Sequence, residues 1–200
     1  MRQQATEAHL RQRVGRRLGV RPYYRIVEQN DGRLVLDSLP GANRRAGYQV
    51  LAGGIVITLV AVMIIGSGIV NSLQGGGFGV AAISAAVAGL LGNIGMRRMI
   101  GGYAILTTRN QITADANAGE ISFSQRSRIG KPLSQRLQLS QIDSLRLRRR
   151  PFVVGSILRR MRQIVVIELL VGESVWVVDS AENDGDLQPL AVALNELIAA

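Results

Sequence analysis

Two stretches in the middle of the chain carry no charged residue and interrupt the mixed polar and apolar pattern on either side. Val50–Val70 reads VLAGGIVITLVAVMIIGSGIV, 21 residues dominated by Ile, Val and Leu. Phe78–Met96 reads FGVAAISAAVAGLLGNIGM and is richer in Ala and Gly. About 20 helical residues, at 1.5 Å rise each, cross the hydrocarbon core of a bilayer, and uncharged runs of this length are rare in soluble helices. The linker NSLQGGG suits a tight polar turn, so an antiparallel transmembrane hairpin is predicted over residues 48–98, with spans at 50–70 and 78–96. Ala81, Ala85 and Gly89 recur at four-residue spacing in the second span. Small residues at that spacing let helix backbones approach closely in lipid, so these three are candidate packing residues, against the first span or against another membrane protein. Arg44 and Arg45 precede the hairpin, Arg97 and Arg98 follow it, and the turn is uncharged. The positive-inside rule then places both arginine pairs, and with them both termini, in the cytoplasm.

The flanking regions show shorter periods. Tyr23–Gln29 and Arg33–Leu39 are rich in strand formers and surround Asn30-Asp31-Gly32, a sequence that favours a tight turn. A β-hairpin at 23–39 is therefore expected within an N-terminal arm of residues 1–46, either capping a C-terminal sheet or standing beside lipid headgroups. At the start of the chain, Leu10, Val14 and Leu18 share one helical face among Arg11, Arg13, Arg16 and Arg17, which fits a surface-lying amphipathic helix or a disordered basic tail. No early apolar stretch marks a signal peptide.

Residues 99–200 read as a β-rich domain closed by a helix. Tyr103–Thr108 is a strand candidate, and Gln111–Ala114 with Glu120–Gln125 forms a candidate hairpin around Asn117-Ala118-Gly119. In Arg136–Leu147, RLQLSQIDSLRL, the period of two groups Leu137, Leu139, Leu145 and Leu147 on one sheet face and Arg146 and Arg148 on the other. Gln163–Val171 and Ser174–Val178 are the strongest strands, the first apolar enough to be central. A closing helix is expected from about Asp184–Asp186, capped by aspartate with Pro189 in its first turn, and with Leu187, Leu190, Leu194, Leu197 and Ile198 as its apolar stripe. The predicted fold class is thus an α+β membrane protein: a two-helix hairpin plus a C-terminal β-rich domain closed by an amphipathic helix.

Charge sharpens this picture. The net charge is +10, supplied almost wholly by arginine, since Lys131 is the only lysine. Such basicity points to a polyanionic partner. Seven arginines fall in one short region: Arg146, Arg148, Arg149, Arg150, Arg159, Arg160 and Arg162, flanking the apolar octapeptide PFVVGSIL. They are the candidate lipid- or partner-binding residues, with anionic membrane lipid or an acidic protein as the partner, although a solvated strand connection also fits. Nucleic acid is disfavoured by the absence of a binding motif and the scarcity of interleaved aromatics. There is no cysteine, and His9 is the sole histidine. No nucleophile–base set, P-loop or metal spacing is found, and no cofactor is called for. The carboxylates Asp179, Glu182, Asp184 and Asp186 lack the alternation of a calcium loop.

The hairpin-then-strands-then-helix order is similar to that of bacterial membrane proteins with a pleckstrin-homology-like (PH-like) domain. In detail the chain most resembles the photosystem I assembly-factor family of chloroplasts and cyanobacteria. The likeness rests on DANAGEI (Asp115–Ile121), RLQLSQIDSLRL, QIVVIELLVGESVWVV and the acidic run DSAEND, and covers residues 48 to 198. The N-terminal extension with its β-hairpin departs from that family. The resemblance implies a PH-like cytoplasmic domain at residues 99–200 and a non-enzymatic scaffold or assembly role in an inner, plasma or thylakoid-type membrane, with another membrane protein or complex as partner. The alternative from the residues alone is a small subunit of an oligomeric channel or transporter. The absence of ionisable residues inside the spans argues against it.

Overall fold

A computed structural model describes residues 18–129, 131–154 and 160–199. The expected basic helix at the N-terminus, with His9, lies almost entirely outside the described residues, as does Arg159. The chain divides into two units, a helical one inserted in sequence within a β-rich one.

The helical unit consists of α1 (Arg44–Leu73) and α2 (Gly77–Thr107). Both helices are long and apolar enough to cross a membrane. They exceed the predicted spans at their open ends, and the Tyr103–Thr108 strand candidate is instead the last turn and C-cap of α2. Tertiary packing overrides the local preference here: Leu106 lies directly against Gly47 of α1. At the open end Asn43 Nδ2 of the α1 cap donates to the Thr108 carbonyl of the α2 cap at 3.3 Å, and Ser127 Oγ donates to the Ala104 carbonyl of α2 at 3.1 Å.

The helix pair is joined along a seam with a period of seven. The buried residues of α1 are Gly47, Gly54, Ala61 and Gly68, and those of α2 are Ala88, Gly95 and Gly102. A seven-residue repeat keeps one stripe facing the partner, and small residues on both stripes let the backbones touch. A Cβ built on Gly54 would lie 2.8 Å from the Gly95 carbonyl oxygen, and one on Gly102 would lie 2.6 Å from the Leu51 nitrogen. Of the four-spaced stripe expected to pack, only Ala81 joins this seam, opposite Gly68, whereas Ala85 and Gly89 face outward.

Among the described residues the β-rich unit holds eight strands. β1 (Tyr24–Asn30), β2 (Arg33–Ser38), β3 (Arg109–Asp115), β4 (Glu120–Arg126) and β5 (Leu133–Gln138) form one antiparallel sheet in sequence order. Gly32, at φ 81°, makes the β1–β2 turn that the Asp-Gly pair predicts. β2 pairs with β3, from Arg33↔Asp115 to Asp37↔Gln111, so of the two placements expected for the N-terminal hairpin the structure has it at the C-terminal sheet, as two further strands of it. A second sheet has the order β6 (Ser144–Val154), β7 (Arg160–Val171), β8 (Ser174–Ala181), with the apolar β7 in the centre as expected.

RLQLSQIDSLRL is therefore not one strand. It ends β5, turns through a 3-10 segment at Leu139–Gln141 and begins β6 in the other sheet. Leu137 is buried, Leu139 and Leu145 pack at the edge of the core, and Leu147 is exposed. Helix α3 (Gln188–Ala199) packs Leu190, Leu194 and Leu197 into the same core as Leu36, Ile112, Ile121, Ile167 and Leu169. α3 starts later than expected. The Asp184 carbonyl accepts from the Leu187 and Gln188 amides, while its carboxylate pairs with Arg149 and does not cap the helix.

Candidate functional site

β6 and β7 form a long hairpin whose register runs from Ser144↔Leu170 to Val154↔Arg160. The third strand stops where Ala181 meets Val165. Past that point β6 and β7 continue as a two-stranded ribbon, ending in the pairs Pro151↔Gln163, Phe152↔Arg162, Val153↔Met161 and Val154↔Arg160. At about 3.3 Å per residue, these four pairs extend roughly 13 Å. All four residues on the β7 side of this extension are exposed.

Directly paired residues share a sheet face, and alternate residues along a strand share it too. Arg146, Arg148, Arg150, Arg160 and Arg162 therefore lie on one face of this hairpin, and Arg149 lies on the other. The sequence separates the two clusters by the octapeptide; the antiparallel register brings them together.

These arginines differ in what they hold. Glu168 is fully buried and lies between two of them. Arg146 Nε donates to its Oε2 at 2.9 Å, and the largely buried Arg150 forms an ion pair with its Oε1. A buried carboxylate flanked by two guanidinium groups is a structural device, because either charge left alone there is costly. Arg162 NH1 straddles the Glu182 carboxylate at 2.7 and 2.8 Å, and Arg149 reaches Asp184 at 3.3 Å, both at exposed positions. Arg148 and Arg160 are exposed and have no ion-pair partner among the described residues.

The apolar octapeptide also divides. Pro151–Val154 forms the end of β6, and the rest lies outside the described residues. The ribbon thus has one apolar strand, PFVV, paired with one basic strand, RMRQ, and Val153 and Met161 are exposed at its outer end.

A second buried carboxylate, Asp179 at the end of β8, accepts hydrogen bonds from the Tyr23 amide at 3.0 Å and the Tyr24 amide at 2.9 Å. It anchors the start of β1 to the second sheet. In the sequence Asp179 belongs to an acidic run; only the fold shows that it is internal. No group of three His, Asp or Glu residues is placed to hold a metal among the described residues. No family model matches the chain, and no curated protein matches it.

Proposed function

We propose that the chain is a non-enzymatic, membrane-anchored scaffold, with α1 and α2 as its transmembrane hairpin and the β-rich unit as a PH-like binding module on the cytoplasmic side. The observation that carries the membrane reading is the division of labour on the two helices. Small residues line the seam, and Leu59, Met63, Ile83 and Leu90 remain exposed on the flanks. Only 11% and 6% of the most apolar windows of α1 and α2 are buried. A core helix of a soluble protein covers such a surface, whereas contiguous apolar patches beyond a few hundred Å² require a partner or a lipid phase. Hydrocarbon supplies that phase without further protein contacts.

Antiparallel strands followed by one helix packed into their shared core support the PH-like reading of the module. Its most distinctive surface, a basic face on a projecting ribbon, suits recognition of an anionic surface more than catalysis. The seam is closed by backbone contact, so a single hairpin has no lumen, and a conducting role would need several copies.

Two measurements on native membranes test this reading. The protein should stay in the pellet after alkaline carbonate extraction, and crosslinking of gently solubilised membranes should join it reproducibly to another membrane protein. Release into the carbonate supernatant would overturn the anchor. Crosslinks found only between copies of this chain would overturn the scaffold role.

A further inference from the structure

We infer that Arg97 and Arg98 form a headgroup site for anionic phospholipid at the open end of the helix pair, and that Arg44 and Arg45 stand clear of the bilayer on a two-helix stalk. This deepens the anchor reading and rests on it. In the sequence the two arginine pairs flank the hairpin alike, but the seam staggers them. Gly47 meets Gly102 and Leu106, Gly54 meets Gly95 and Met99, and Gly68 meets Ala81 and Ser84. Each α1 glycine thus lies level with the midpoint of its two α2 neighbours. Carried along the seam, this register sets Gly53 level with Arg98, Tyr48 level with Tyr103, and Arg44 and Arg45 level with Thr107 and Leu106. The Arg98 side chain agrees, because its NH1 atom lies 3.5 Å from a Cβ built on Gly53. Gly53 follows Arg45 by eight residues, so Arg44 and Arg45 stand about 12 Å beyond Arg97 and Arg98 along the pair.

Thickness decides which pair meets the lipid. In α2 the uncharged run before Arg97 is Gly77–Met96, about 30 Å long, which matches the hydrocarbon core. In α1 the uncharged run is Ala46–Leu73, about 42 Å long. The helices lie side by side, so the shorter run sets the depth. A boundary at Arg45 would sink Arg97 and Arg98 about 12 Å into hydrocarbon, where charge is expensive. With the boundary at Arg98, Tyr48 and Tyr103 lie about 7 Å above it, in the headgroup layer where such rings collect. Arg44 and Arg45 then lie beyond that layer. Side-chain direction widens the split, since Cα–Cβ bonds tilt toward the helix N-terminus, toward the lipid in α2 and away from it in α1.

Charge identifies the occupant. No Asp or Glu occurs from Gly41 to Thr108, and no ion pair among the described residues involves Arg97 or Arg98. Two adjacent, uncompensated guanidinium groups at this depth face lipid phosphates, whose oxygens an arginine fork takes in pairs. Their joint charge favours a lipid of net negative charge over a zwitterionic one.

The chain contains no cysteine, so single substitutions carry probes cleanly. Full-length protein with a nitroxide on Gln49→Cys or on Leu59→Cys, both exposed positions, is reconstituted into phosphatidylcholine vesicles containing about one-third phosphatidylglycerol. A water-soluble nickel chelate is present on both sides of the bilayer. It should reach the Gln49 probe, about 6 Å above the level of Arg98, and not the Leu59 probe, about 9 Å below it. A chelate that reaches both overturns the anchor and the site with it. A chelate excluded from both leaves the anchor standing and overturns the stagger alone. For the lipid, a fluorophore on the exposed Ala52→Cys is quenched by phosphatidylglycerol or phosphatidylcholine carrying a nitroxide high on the acyl chain. Phosphatidylglycerol should quench more strongly. Each basic residue near an anionic surface is worth about a factor of five, so Arg97→Gln with Arg98→Gln should lower the local preference about thirty-fold. Arg44→Gln with Arg45→Gln should leave it unchanged. Equal quenching by the two lipids in the unaltered protein, or a preference lost with the Arg44 and Arg45 pair, overturns the proposal.

Discussion

Substituting alanine for glycine at different places on the helix pair separates the seam from the rest of the helix surface. At Gly102 a new Cβ would stand 2.6 Å from the Leu51 nitrogen and 2.9 Å from its Cα, and at Gly54 it would stand 2.8 Å from both the Gly95 carbonyl oxygen and the Met99 nitrogen. These obstacles include backbone atoms, which cannot rotate away. Ordinary contact lies at about 3.5–4.0 Å, so the helices would have to part by about 1 Å at the substituted position. Overpacking of this kind costs about 1–3 kcal/mol. At Gly89 and Gly92 an added Cβ meets nothing within 4 Å. The gain of about 1 kcal/mol in helix propensity from Gly to Ala is common to all four sites, so it cancels in the comparison. Gly54→Ala and Gly102→Ala should therefore be about 1–3 kcal/mol less stable in helix association than Gly89→Ala and Gly92→Ala, a five- to 150-fold change in the ratio of parted to packed helices. Donor and acceptor dyes on Gln49→Cys and Tyr103→Cys, both exposed and on opposite helices, report parting at the open end during an SDS titration in mixed micelles. A lower midpoint is expected for the two seam variants alone. Equal midpoints at seam and outward positions would refute the seven-residue seam.

The β-rich unit offers two contrasts read through Trp176, the only tryptophan, which packs against Phe123 with ring centroids 5.3 Å apart. Glu168→Ala removes a fully buried carboxylate and strands Arg150, so a loss of about 3 kcal/mol is expected, toward the lower end of the range for broken buried pairs because Arg146 is partly exposed. Glu182→Ala breaks a pair whose members are 45% and 42% exposed, and its unfolding free energy from urea titration should fall by less than about 1 kcal/mol. Comparable losses from both would contradict the division of the arginines into structural and surface roles. Asp179→Ala leaves the Tyr23 and Tyr24 amides without their carboxylate acceptor. A cost of about 3 kcal/mol is expected, with hydrogen exchange speeding at those two amides before the rest of the sheet; unchanged protection there would show that β1 is held without the clamp.

Length and the absence of charge specify the helical hairpin, because an uncharged run of 21 residues has few other uses. The Asp-Gly turn, the central apolar strand β7 and the leucine stripe of α3 are equally local, each set by turn chemistry or by a period of 2 or 3.6. The seven-residue recurrence of Gly47, Gly54, Ala61 and Gly68 is also written in the sequence. Its meaning is not, since the four-spaced Ala81, Ala85 and Gly89 compete with it, and only the crossing of two real helices decides which stripe is inside. The same holds for RLQLSQIDSLRL, where alternation alone cannot reveal that the chain changes sheets at a 3-10 turn.

For the arginines the division is sharper. Composition and spacing establish a basic cluster around an apolar octapeptide. The register of β6 against β7 places five of these arginines on one face, and the buried position of Glu168 assigns two of them to structure. Charge is a property of the residue, but its availability depends on which carboxylates the fold brings within reach. That is a matter of contacts between residues 18 to 22 positions apart, which no local pattern encodes.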